Sequence, residues 1–210
     1  EIDIEKLAKR VAEVVNRSEG KSAKGDGVKV EESGAHDIFG IVQAVKNDTG
    51  EWELDVLGVP FGGPNNGKDS DGEFFSAETK NYEQQYGQIP AVYFHGFDEN
   101  GKPTDEPPII GTAKYSHTDS RGRWYRVVLN KANSYASRIW ESAKRGLARA
   151  SSGSIAHMVR KAINGHITHW PVVELSLIDA AGRRQPANQF AVALPVVKAV
   201  YARAGLTLPA

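Results

Sequence analysis

The chain has 210 residues and no cysteine, which excludes disulfides, a thiol nucleophile and a Cys-built zinc site. Lys+Arg and Asp+Glu balance at 26 each, without the basic excess usual in nucleic-acid binders. No run approaches the ~18–20 apolar residues of a membrane span, and Glu1-Ile2-Asp3-Ile4-Glu5 has neither the basic start nor the apolar core of a signal peptide.

Ile4, Leu7, Val11 and Val14 recur at spacings of three and four, which predicts an amphipathic helix over residues 1–17. With no initiator Met ahead of it, the chain is expected to be a fragment or a processed form. Residues 18–35 open with Ser, Glu, Gly, Lys and Asp and read as a flexible linker. A lone tethered helix cannot bury its stripe, so it docks on its own domain or on a partner.

From His36 onward the texture is β-like. Residues 38–45 and 52–59 flank Asn47-Asp48-Thr49-Gly50, a hairpin signal. Residues 61–72 form a Gly- and Asp-rich loop. It nearly spells a phosphate-binding loop from Gly62 to Lys68, but Asp69 stands where Ser or Thr belongs. Asp69-Ser70-Asp71-Gly72 hints at calcium without the closing Glu at the required spacing. Both read as turn chemistry. Residues 79–86 are a candidate helix. Residues 91–96 read as a short buried strand ending in His95-Gly96, and residues 98–108 as a Pro-rich polar loop. A second hairpin joins 109–117 to 123–129 around Asp119-Ser120-Arg121-Gly122. Residues 133–145 form a helix with Tyr135, Ile139, Trp140 and Ala143 on one side and Gly146 as its stop.

The stretch 149–179 is the least ordinary. Asn164-Gly165 predicts a two-residue turn between arms at 155–162 and 166–178. A polar Ser-Ser-Gly-Ser run (151–154) enters the first arm, and Glu174 interrupts the second. Val173, Leu175 and Leu177 share one apolar strand face, which turns Glu174 and Ser176 the other way. A last short helix covers 195–204, with Val197, Val200 and Tyr201 inward. Seven or so strands, mostly joined by hairpins, favour an α+β fold: a mostly antiparallel barrel or strongly curved sheet flanked by helices.

Without cysteine, hydrolysis needs Ser, Thr or a metal-bound water. There is no Gly-x-Ser-x-Gly elbow and no His-Glu-x-x-His. His166 and His169 lie three apart on a predicted strand and point to opposite faces, a poor metal pair. Serine chemistry remains, with no cofactor and no metal expected.

His95 at a strand end, Ala-Ser-Ser-Gly-Ser (150–154), Gly-His-Ile-Thr-His-Trp-Pro-Val-Val-Glu-Leu-Ser-Leu (165–177) and Pro-Ala-Asn (186–188) resemble the tailed-phage prohead proteases. These capsid-maturation serine proteases are distantly similar to the herpesvirus assemblins. The Asp-rich loop at 69–72 and the strand pair around 109–113 and 123–127 sit in the order that family uses. The resemblance covers roughly residues 36–193, the expected protease domain, with 194–210 as a C-terminal helix and tail. Each motif is short, and their shared order carries the weight.

The resemblance implies a herpesvirus-protease-like fold and a His…Ser…acid order along the chain. Ser151 would be the nucleophile, from the family's Ser-x-Gly; His95 the general base; and Glu174 the group that orients the imidazole. Gly182-Arg183-Arg184 is similar to the oxyanion-stabilising Gly-Arg-Arg of the herpesvirus enzymes, so Arg183 and Arg184 would lie at the oxyanion. Ser152 is the wrong-register substitute for the nucleophile. His169 is an alternative third member, since the herpesvirus branch uses a second histidine there. His36, His117, His157 and His166 receive no role. Seen singly, each candidate reads as turn chemistry, a structural histidine or a solvated carboxylate.

The activity so implied is endoproteolysis of scaffold and major capsid protein, and of the chain itself. The place implied is the host cytoplasm, inside the immature capsid. A homo-oligomer is expected, with no nucleic-acid or membrane partner. Two other readings remain: a catalytically silent scaffolding module with a protease-like fold, and a metal-dependent hydrolase.

Overall fold

A computed structural model describes residues 40–45, 47–97, 106–179 and 194–207. The predicted N-terminal helix and linker, most of the loop at 98–108, and the stretch holding Arg183 and Arg184 lie outside the described residues.

Two hairpins form where alternation and turn residues coincide. Strands β1 (Gly40–Val45) and β2 (Glu53–Pro60) pair with Val42 opposite Val56. Strands β4 (Ile109–Asp119) and β5 (Gly122–Leu129) pair with Ala113 opposite Val127. Asp119 fixes the tight turn between them by accepting the N–H groups of Arg121 at 2.9 Å and Gly122 at 3.2 Å.

These strands join β3 (Gln88–Tyr93), β6 (Arg149–Gly153) and β9 (Glu174–Ile178) in a closed seven-stranded barrel, in the order β1-β2-β5-β4-β3-β9-β6. The barrel is mixed. The β3–β9 pair is parallel, with Val92 opposite Ser176, and the other neighbours are antiparallel. Closure leaves no long open edge. The expectation of a mostly antiparallel barrel with flanking helices holds at this level.

The barrel interior is identified by the close approach of β2 to β9, which are not neighbours in the barrel. A Cβ on Gly58 of β2 would fall 2.8 Å from Leu175 of β9 and 2.9 Å from Tyr125 of β5. Glycine at 58 therefore leaves room for both of these large side chains. Leu175 points inward, and alternation sends Glu174 and Ser176 outward. Burial lifts the pKa of the Tyr125 phenol far above its ordinary value.

Helix α1 (Ser134–Lys144) packs on β1 and β4, and its Trp140 stacks on Trp52, just ahead of β2, at 5.7 Å. Its start and stop follow the sequence reading. Asn133 accepts from the N–H groups of Tyr135 at 2.9 Å and Ala136 at 3.2 Å, and Gly146 adopts φ 69. Asn133→Ala is expected to lower the unfolding free energy by ~1–2 kcal/mol, read as a drop in urea midpoint at unchanged slope. Helix α2 (Leu194–Ala204) packs on β3 and on a tight turn at Phe94–Gly96, with Val200 and Tyr201 buried.

Two expectations are corrected. Residues 79–86 form turns instead of a helix. Lys80 N–H donates to Thr168 O at 2.9 Å, Trp170 N–H donates to Lys80 O at 2.9 Å, and Tyr82 sits at φ 58. That stretch satisfies its backbone against the segment at 168–172, having no apolar stripe to bury as a helix.

The long hairpin around Asn164-Gly165 is also short. Its turn exists, but it joins only β7 (Arg160–Lys161) to β8 (Ile167–His169), and Ala156–Met158 is a 3-10 turn. Residues 151–153 of the Ser run lie in strand β6, which pairs directly to β9. The Asp-rich loop lies against this small hairpin. Asp69 Oδ1 accepts the N–H groups of Asp71 and Glu73, and Lys68 Nζ donates to Asn164 O at 2.7 Å.

Candidate active site

Strand β9 carries the acid. Gly153 opposes Glu174, Ser151 opposes Ser176, and Ser152 opposes Leu175. Directly opposed residues share a face, so Ser151, Gly153, Glu174 and Ser176 lie on the outer face. Ser152 lies with Leu175 on the inner one. Ser151 is half-buried. Ser152 is buried, and its Oγ accepts from Trp170 Nε1 at 3.1 Å.

The histidine arrives from β3, the parallel neighbour of β9. Just past the strand end, Phe94 and His95 take φ 45 and 52, in the left-handed region that costs a non-glycine residue roughly 1–2 kcal/mol. Strain of this kind concentrates at functional sites. The turn brings His95 Nδ1 to 2.5 Å from Glu174 Oε1, with both side chains almost wholly excluded from solvent. A carboxylate only accepts, so Nδ1 carries the proton and Nε2 keeps its lone pair in the neutral ring. Among the described residues His95 Nε2 and Glu174 Oε2, both buried, have no hydrogen-bond partner, so Ser151 Oγ does not bond the ring here. The backbone N–H of His95 donates to Ser176 Oγ at 2.8 Å.

Glycine at 153 makes this possible. A Cβ there would fall 1.8 Å from Glu174 Oε1, so any other residue would displace the carboxylate. The glycine of the Ser-x-Gly pattern thus leaves the acid room to lie over the strand that carries the serine.

The surroundings brace β9 at both ends. Tyr201 of α2 donates its hydroxyl to Val173 O at 2.5 Å. Burial, and after it the nearby Glu174 charge, raises the pKa of that phenol well above its ordinary value. Beyond the other end, Arg138 Nε donates to Asp179 Oδ2 at 2.6 Å, and the guanidinium lies over the Tyr93 and Tyr135 rings.

Of the residues singled out in the sequence, His95 and Glu174 meet directly, and Ser151 shares their face of the β6–β9 pair. Ser152 faces away from them. His169 bonds Thr168 Oγ1 at 3.1 Å, with its ring 6.2 Å from Tyr82, and Glu174 fills the place it would have taken. His166 stacks on Phe74 and His117 on Trp124. Arg183 and Arg184 lie outside the described residues. Among the described residues no group of three or more His, Asp or Glu gathers as a metal site. Sequence reasoning put Ser176 on the face of Glu174 but assigned it no task, and it placed Tyr201 inward on the last helix without linking it to the site.

The chain matches no protein-family model, no curated protein and no solved structure.

Proposed function

We propose that the chain is a serine endopeptidase that cleaves scaffold and capsid-protein segments, and itself, during phage prohead maturation. The observation that carries this reading is the buried His95–Glu174 pair at 2.5 Å, held in left-handed backbone with Nε2 unpartnered, on the face that carries Ser151. An imidazole tied at Nδ1 by a buried carboxylate is a poised general base.

In the proposed reaction Ser151 Oγ attacks the scissile carbonyl carbon, and its proton passes to His95 Nε2. The same proton then goes to the departing amine as the C–N bond breaks. Water repeats the exchange, His95 taking its proton, and releases the acid product with Ser151 restored. Glu174 stays ionised and stabilises the imidazolium formed in each half. The phage setting and the capsid substrates rest on the resemblance of the motifs at 95, 150–154 and 165–177.

One observation favours a second reading, a catalytically silent internal scaffolding module. The His95 side chain is 1% exposed, so a substrate must first gain access to it. A fluorophosphonate probe separates the two. A covalent adduct mapping to Ser151 and absent from His95→Ala is the expected result. A folded chain that never labels, alone or assembled with scaffold, overturns the peptidase reading.

A further inference from the structure

Ser176 is wholly buried in the middle of β9, and its hydroxyl accepts the backbone N–H of His95 at 2.8 Å. Two residues earlier on the same outer face, Glu174 takes the Nδ1 of that same histidine. One strand face therefore grips one residue twice, by its backbone and by its ring. The β3–β9 ladder runs from Ala91 opposite Leu175 to Tyr93 opposite Leu177 and stops there. The N–H of His95 lies beyond it and is buried, so it needs a partner from elsewhere. A hydroxyl at 176 is that partner, in a strand position where an apolar side chain would be usual.

We propose that Ser176 is the positioning residue of this site. It pins the left-handed turn at His95, so that the ring meets Glu174 and offers Nε2 on the face of Ser151. The catalytic meaning of this role rests on the endopeptidase reading; the placement of the ring does not. Ring contact alone leaves the backbone of a strained turn free to relax toward negative φ, which would swing the imidazole off the carboxylate. The Ser176 hydroxyl blocks that relaxation, and it sits directly opposite Ser151 in the β6–β9 register.

Two readouts test this on the full chain. With nitrogen-15-labelled histidine, the proton between His95 Nδ1 and Glu174 is expected as a downfield resonance in the wild type, identified by its loss in His95→Ala. Ser176→Ala is expected to lose that resonance and to slow fluorophosphonate labelling of Ser151 at least tenfold, while still unfolding cooperatively. Ser176→Cys, with similar volume and a weaker acceptor, is expected to recover part of both signals. A folded Ser176→Ala with wild-type resonance and labelling overturns the proposal and leaves the peptidase reading standing. A wild type that never labels, but whose resonance depends on Ser176, removes the peptidase reading and supports the positioning role. A wild type lacking the resonance overturns the role outright. If Ser176→Ala does not fold, Ser176→Cys decides: weakened signals support the proposal and unchanged ones overturn it.

Discussion

Replacing Ser151 by alanine is expected to abolish cleavage of co-expressed scaffold and coat protein, with a loss on the order of 10⁴-fold or more, the scale on which a triad serine acts. The fold should barely notice. Ser151 is half-buried on the outer face of β6, so the unfolding free energy should stay within ~0.5 kcal/mol of wild type. Ser152→Ala should behave in the opposite way. That hydroxyl lies on the inner face and accepts from Trp170 Nε1, and its loss strands a buried indole N–H at about 1–3 kcal/mol. Stability should fall with only a modest effect on cleavage. Intact-mass analysis of the substrates and urea unfolding of both variants check the pair. Unchanged processing by Ser151→Ala would remove the serine from the chemistry. Loss of processing in a stable Ser152→Ala would move the nucleophile one residue along.

The contrast between those two serines shows what was legible in the chain and what was not. Period-two alternation and turn residues placed the hairpins at 40–60 and 109–129, and Asn133 and Gly146 bracketed α1, because each of those signals is local. Alternation also told which way Glu174 points. The meeting of His95 with Glu174 was a different matter, since 79 residues separate them. They come together only because β3 runs parallel to β9, a pairing that neither strand encodes by itself.

The reading of 155–178 as one long hairpin failed for a related reason. Asn164-Gly165 does make a turn, but a turn signal says nothing about how far its arms stay paired. β6 found its partner across the excursion, in β9. The helix expected at 79–86 gave way because tertiary partners at 167–170 satisfied its backbone first. Gly153 was visible only as part of a short pattern; its cause, a carboxylate oxygen where a Cβ would sit, is a three-dimensional fact.

Glu174→Gln is expected to separate activity from stability in the opposite sense to most core substitutions. The carboxylate is buried with one oxygen on His95 Nδ1 and the other unpartnered. Burying an ion costs several kcal/mol, and one hydrogen bond offsets only part of it. A neutral amide of the same shape removes that cost, so the variant should unfold at an equal or higher urea concentration, with an unfolding free energy up to ~1–2 kcal/mol higher. Activity should fall by about 10³–10⁴, because an amide neither enforces the Nδ1–H tautomer nor stabilises the imidazolium. If Glu174 served only to fill space beside Gly153, glutamine would fill it equally well, and labelling of Ser151 would stay within a few-fold of wild type. The two readings therefore predict the same stability and activities three orders of magnitude apart. A fluorophosphonate labelling rate measured beside an unfolding curve decides between them.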